Sequence, residues 1–181
     1  MGMYFIWGRK IQFFMRILLV LIMAFVMLPS SVMAQDAVPR FNDTQLPLPR
    51  FVSLRSDKAY IRSGPAMRYP VKWVLIKDDM PVEIIQEFDH WRKIRTIEAD
   101  EGWIHKSLLS GKRTVMVNGT ELVPMRQKNE AGAKMLARLE PYVIAAVEEC
   151  TGQWCLVSTG GFEGWIERNS LWGVYESEEL N

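Results

Sequence analysis

From Phe51 onward, apolar and polar positions alternate over runs of four to seven residues, and each run closes on a turn signal. Ala59-Tyr60-Ile61-Arg62 precedes Ser63-Gly64-Pro65, and Pro81-Val82-Glu83-Ile84-Ile85 precedes Asp89-His90. Trp91 to Ile97 and Trp103-Ile104-His105 follow in the same style. Many short strands between evenly spaced turns predict an all-β chain built as a small barrel or sandwich. One stretch, 129–140, carries helix-permissive residues, but Gly132 interrupts it and Pro141 ends it, so one or two helical turns are expected at most.

The pattern repeats. Trp91-Arg92-Lys93-Ile94 leads to Glu101-Gly102-Trp103-Ile104, and Trp154-Cys155-Leu156-Val157 leads to Glu163-Gly164-Trp165-Ile166. The offset is 63 residues at the first Trp and 62 at the second, with Arg126 a candidate partner for Arg62. A period near 62 predicts two units, 51–110 and 111–175. Units so small bury only about 60% of their unfolded surface. With a connector as short as 109–113, they should pack on each other or share a strand.

Period 2 then assigns faces. With Ile94 in the core, Arg92 and Thr96 share its side, and Trp91 looks outward with Lys93 and Arg95. In the second unit Cys155 and Val157 point inward and Trp154 outward. Cys150 and Cys155, four residues apart in between, read as a structural disulfide that pins one hairpin's register. A redox pair and a thiolate metal set are weaker alternatives, since the spacing is not C-x-x-C and no histidine stands near.

Before Phe51 the texture differs. Arg9, Lys10 and Arg16 precede any acid, residues 17–28 carry no polar side chain, and Val32-Met33-Ala34 ends the segment. That order predicts a signal peptide over 1–34. The twelve-residue run is short of the roughly 20 needed to cross a bilayer, so no stable span is expected after cleavage. A retained anchor is the alternative. Residues 35–50 hold three prolines and read as an extended arm, and 176–181 reads as an acidic tail. The part after 34 carries 19 basic and 21 acidic residues, which gives no footprint for nucleic acid.

At this point the residues carry a resemblance. AYIRSGPAMRYP at 59–70, MPVEIIQEFDHWRKIR at 80–95 and EGWIHKSL at 101–108 resemble the bacterial SH3-type (SH3b) family, in the exported tandem form found in alphaproteobacteria. The likeness covers 51–175. It implies two tandem SH3-like barrels, each small, bent and five-stranded, packed together, in a periplasmic or secreted protein with a binding or scaffolding role. The partners it implies are cell-wall peptide, glycan or an envelope protein. The second copy has Gln127-Lys128-Asn129 where Ser63-Gly64-Pro65 stands in the first, so its loop is expected to take a different course.

Candidate ligand contacts are aromatic: Tyr60, Tyr69, Trp73 and Trp91 in the first copy, Trp154 in the second. Tyr60, Tyr69 and Trp91 would line a groove, while Trp91 and Trp154 serve equally as packing between lobes. Gly64 and Pro65 read as turn devices, Gly102 and Gly164 as structural, and Trp103 and Trp165 as core fillers. The two histidines, His90 and His105, have no recognisable nucleophile partner, and adjacent acids such as Asp78-Asp79 read as solvated turns. No catalytic residue, cofactor or metal is expected. A scaffold or homodimer without a groove is the alternative reading, and an envelope enzyme the weakest.

Overall fold

The computed structural model describes residues 42–181, which lie in one compact unit from Pro39 to Asn181. The export segment expected over 1–34 and the start of the arm, 35–41, lie outside the described residues. The alternation becomes two antiparallel sheets. The first holds β1 (Arg50–Leu54), β2 (Ala59–Arg62), β3 (Val71–Leu75), β4 (Pro81–Phe88), β5 (Trp91–Arg95), β6 (Glu101–His105) and β7 (Leu109–Ser110). The second holds β8 (Thr114–Val117), β9 (Val123–Arg126), β10 (Met135–Leu139), β11 (Ile144–Thr151), β12 (Trp154–Thr159), β13 (Phe162–Glu167) and β14 (Leu171–Trp172). Their spatial orders are β3-β2-β6-β5-β4-β1-β7 and β10-β9-β13-β12-β11-β8-β14. The second order is the first with seven added to each number, so the repeat extends to every strand. Each sheet has seven strands where the resemblance implies a five-stranded barrel, and β1 pairs with both β4 and the two-residue β7.

Period 2 sets the two cores. Leu54, Ile61, Val82, Ile94 and Ile104 are fully buried in the first, as are Val115, Met125, Val157 and Ile166 in the second. Each such side chain contributes roughly 1.5–3 kcal/mol by leaving water. The Glu-Gly-Trp-Ile motif follows from strand crossing. Gly102 faces inward, where a Cβ would stand 2.4 Å from Ile61 Cγ2. Gly164 is equally enclosed, 2.6 Å from Met125 Cγ and 2.8 Å from the Arg126 carbonyl oxygen. A Cβ at either place would separate β6 from β2, or β13 from β9. Trp103 and Trp165 therefore face the other way. The expectation that they fill the core is corrected: both are half-buried on the outer side of their strands.

The two sheets share apolar contacts. Met116, Ile144 and Trp172 of the second pack with Leu54, Met80 and Val82 in the first core. Phe51 sits between the rings of Trp172 (5.0 Å) and Tyr175 (4.7 Å), and the Tyr175 hydroxyl donates to Glu83 at 2.9 Å. Thr114 Oγ1 donates to the Asp79 carbonyl at 2.7 Å, and Lys77 Nζ to that of Tyr142 at 2.7 Å. Packing of the units on each other is thus observed, and part of the expected connector is itself strand β7.

Two local expectations are corrected, and the tail gains a partner. Helical turns at 129–140 give way to a turn and β10, because pairing of Met135–Leu139 with Val123–Arg126 satisfies the backbone that propensity alone would coil. The loop of the second copy does not diverge: Ser63 N–H donates to Pro70 O and Gln127 N–H to Lys134 O, closing loops of equal length. The acidic tail is tied down, since Leu180 and Cys150 exchange backbone hydrogen bonds of 2.9 and 3.2 Å.

Candidate binding surfaces

The inner face of the long hairpin differs between the copies. In the first, Glu87 of β4 lies directly opposite Arg92 of β5. Both are buried, at 0% and 4% exposure, and Arg92 Nε stands 3.2 Å from Glu87 Oε1. In the second, the same two places hold Cys150 and Cys155, joined as a disulfide with Cα atoms 4.1 Å apart. The disulfide expected from sequence is present, and there is no free cysteine among the described residues. Burial alone would raise the Glu87 pKa. Hydrogen bonds from Arg50 and from the Thr44 N–H and hydroxyl outweigh it and hold the carboxyl below its ordinary range. The end of the expected arm is thereby fastened to the ion pair.

The outer face of β5 and β6 gathers the polar aromatics of the first copy. Trp91 and His105 are cross-strand partners, their rings 5.5 Å apart and edge-on, with the His90 ring 6.1 Å from His105. His105 Nδ1 lies 2.7 Å from the Ser107 hydroxyl and 3.3 Å from its backbone nitrogen, which holds the ring over the turn. Trp91 lies on the outward side as period 2 requires, yet it is only 8% exposed. The exposure expected for it is not found, and its ring meets that of His105 in its own sheet. Trp154 is half-buried opposite Glu167. Tyr60 is 45% exposed, with Lys58 Nζ 5.3 Å from its ring.

The remaining candidates separate. Tyr69 covers Gly64, where a Cβ would lie 2.6 Å from the ring, and Pro65 is half-buried in the same loop. Arg62 Nη1 staples this loop by donating to the carbonyls of Met67 and Tyr69, as Arg126 does to that of Ala133. The second loop carries Lys128 and Ala133 in the places of Gly64 and Tyr69. Removal of the ring removes the need for glycine. Trp73 pairs with Ile61 and packs partly on the first core, on the opposite side of the sheet from Tyr60. Tyr60 thus lies on an exposed strand face, Tyr69 covers a loop, and Trp91 belongs to a buried cross-strand pair.

The charged residues of β5 are paired. Lys93 Nζ lies 2.7 Å from Glu101, and Arg95 bridges Glu101 and Glu83. The hydrogen bond from Lys93, then that from Arg95, keeps the Glu101 carboxyl below its usual range. Among the described residues no group of three His, Cys, Asp or Glu is placed to hold a metal ion. Nor is any described helix long and apolar enough to cross a membrane.

One feature escaped sequence reasoning. A cleft of about 400 Å³ opens in the first copy beside β1, β7 and the arm, with Leu46, Phe51, Leu109 and Lys106 among its walls. Its lining comes from six separate stretches of chain, so no local motif marks it.

The family model described as the bacterial SH3 domain matches residues 55–111 and 119–173, once on each sheet. No curated protein matches the chain. Two solved structures with some likeness are NlpC2 and NlpC1 from Trichomonas vaginalis. NlpC2 is 12% identical at a TM-score of 0.33, covering 72% of this chain and 50% of that one. For NlpC1 the values are 11%, 0.32, 75% and 49%. The chain thus spans about half the length of these structures, and the TM-scores are too low to bear on fold or function.

Proposed function

The chain belongs to the bacterial SH3 domain family, a family of non-catalytic interaction modules, and on that premise we propose that it is an exported binding protein. Its first module recognises cell-wall peptide, glycan or an envelope protein. The observation that carries this reading is the asymmetry of the outer faces. The first module presents Tyr60, His90, Trp103 and His105, where the second has Pro124, Gln153, Trp165 and Glu167. An exposed aromatic and two imidazoles beside a half-buried indole supply stacking surface and hydrogen bonding for a polar ligand. The buried disulfide suits an oxidising compartment, as does the export reading of 1–34.

Sedimentation of the mature protein with purified peptidoglycan tests the wall-binding form. Retention should fall several-fold in a Tyr60→Ala/His105→Ala double variant, whose side chains lie outside the core. No retention above a non-binding control protein would overturn wall binding. Trp91→Ala is the wrong probe, because loss of a buried indole would unsettle the hairpin as well.

A further inference from the structure

The two modules differ in what lies against β1 and β8. In the second, the chain leaves β14 at Gly173 and folds back as Val174 to Leu180. Val174 and Leu180 pack on the core cluster. The Glu178 carboxylate meets Arg113, and Arg168 Nη1 donates to the carbonyls of Tyr175 and Glu178. An acidic peptide with apolar anchors, turned at Tyr175–Glu178, thus fills this groove from within the chain.

In the first module the arm takes only part of the corresponding place: Thr44 bonds Glu87 where Leu180 bonds Cys150, and Leu48 packs on the core. Arg50 stands where Arg113 does: it pairs with Ile84, as Arg113 bonds Val147. Lys106 stands where Arg168 does: each opens a 3-10 turn, its N–H bonded to the carbonyl of His90 or Gln153. Gly111 matches Gly173, but from there the first chain departs into β8 and leaves nothing to fold back. What remains is the cleft of about 400 Å³, walled by Arg50, Phe51, Lys106, Leu109 and, from the arm, Leu46. Arg50 is already held by Glu87, whereas Lys106 is exposed and has no charge partner among the described residues.

We propose that this cleft is a second binding site, taking an acidic peptide segment of a partner protein. An apolar side chain of that segment enters over Phe51 and Leu109, and its carboxylate or carbonyl groups meet Lys106, as the chain's own tail meets Arg168. The site is separate from the outer face of β5 and β6, so the two readings stand or fall independently.

A labelled synthetic peptide of the sequence VYESEELN, which is that of residues 174–181, is titrated into the full chain and followed by anisotropy. Saturable binding is expected. It should weaken about tenfold in Lys106→Glu and in Leu46→Glu, two surface changes that leave the core intact, and remain unchanged in Tyr60→Ala. Absence of saturation at millimolar peptide would overturn the proposal, as would equal affinity in both cleft variants. Undiminished binding of a peptide with Gln at every Glu would overturn the acidic class. A concentration-dependent dimer of the wild type that Lys106→Glu abolishes would overturn the partner in favour of a second copy of this chain.

Discussion

At one place in the hairpin the two modules do the same job with different chemistry. The first holds β4 to β5 with a buried Glu87–Arg92 ion pair, and the second holds β11 to β12 with the Cys150–Cys155 disulfide. Each also fastens a chain end there: the arm through Thr44 and Arg50 on Glu87, the tail through Leu180 on the Cys150 backbone. The ion pair is the more exacting device. Desolvating two charges is repaid only if every lone pair is used, which is why Glu87 needs Arg50 and Thr44 and Arg92 also donates to the carbonyls of Asp89 and Trp91. A disulfide asks nothing of its surroundings but geometry and an oxidant. The lesson is that a cross-strand position facing a thin core demands a pair, and that the choice of pair decides which condition releases it.

The largest effect should come from breaking the ion pair. Glu87→Ala leaves Arg92 buried and unpaired, and we expect a loss of about 3–5 kcal/mol in urea unfolding. The double variant Glu87→Cys/Arg92→Cys sharpens the point by giving the first module the second's device. It should show no free thiol after denaturation and recover most of that loss; two titratable thiols would mean the two positions are not equivalent. Next comes the disulfide. Cys150→Ala/Cys155→Ala closes no loop in the unfolded chain, and the small loop sets the loss at about 2 kcal/mol by the entropic account. A reductant should match it in the wild type and have no effect on the variant.

Acid should have the smallest effect. Glu87 and Glu178 both have folded-state pKa values below ordinary carboxylate values, so the unfolded chain binds protons more readily. Their contribution is complete above the unfolded value, about 4.3, and is lost as pH falls through the lower folded values. Melting temperature should decline below that point, and Glu178→Gln should flatten the decline while leaving the response to reductant unchanged. Acid thereby loosens both fastenings, reductant only the second.

How much of this could be read in advance depends on phase. Ile94, Ile104, Val157 and Ile166 announce their faces by simple alternation, and the pairing of Cys150 with Cys155 follows from Cys155 being inward. Glu87 does not announce itself. The ladder slips between Ile84 and Gln86, and again between Val147 and Glu149, so each strand changes phase midway and turns Glu87 and Cys150 inward. A period-2 count carried through the bulge places a solvated acid where there is a buried one. Trp91 failed for another reason: its side of the strand was legible, but its cover, His105, comes from the next strand. In 129–140 local propensity permits helical turns, and the partner strand β9 draws Met135–Leu139 into the sheet. The cleft was invisible because it is defined by what the first module lacks.

Met116, Ile144 and Trp172 have a further consequence. They belong by sequence to the second repeat and by packing to the first core. The unit that repeats in sequence is therefore not the unit that closes in packing. A cut at Gly111 would leave one half with an uncovered apolar floor and the other with three stranded apolar side chains. Those three side chains give the two modules a shared apolar floor.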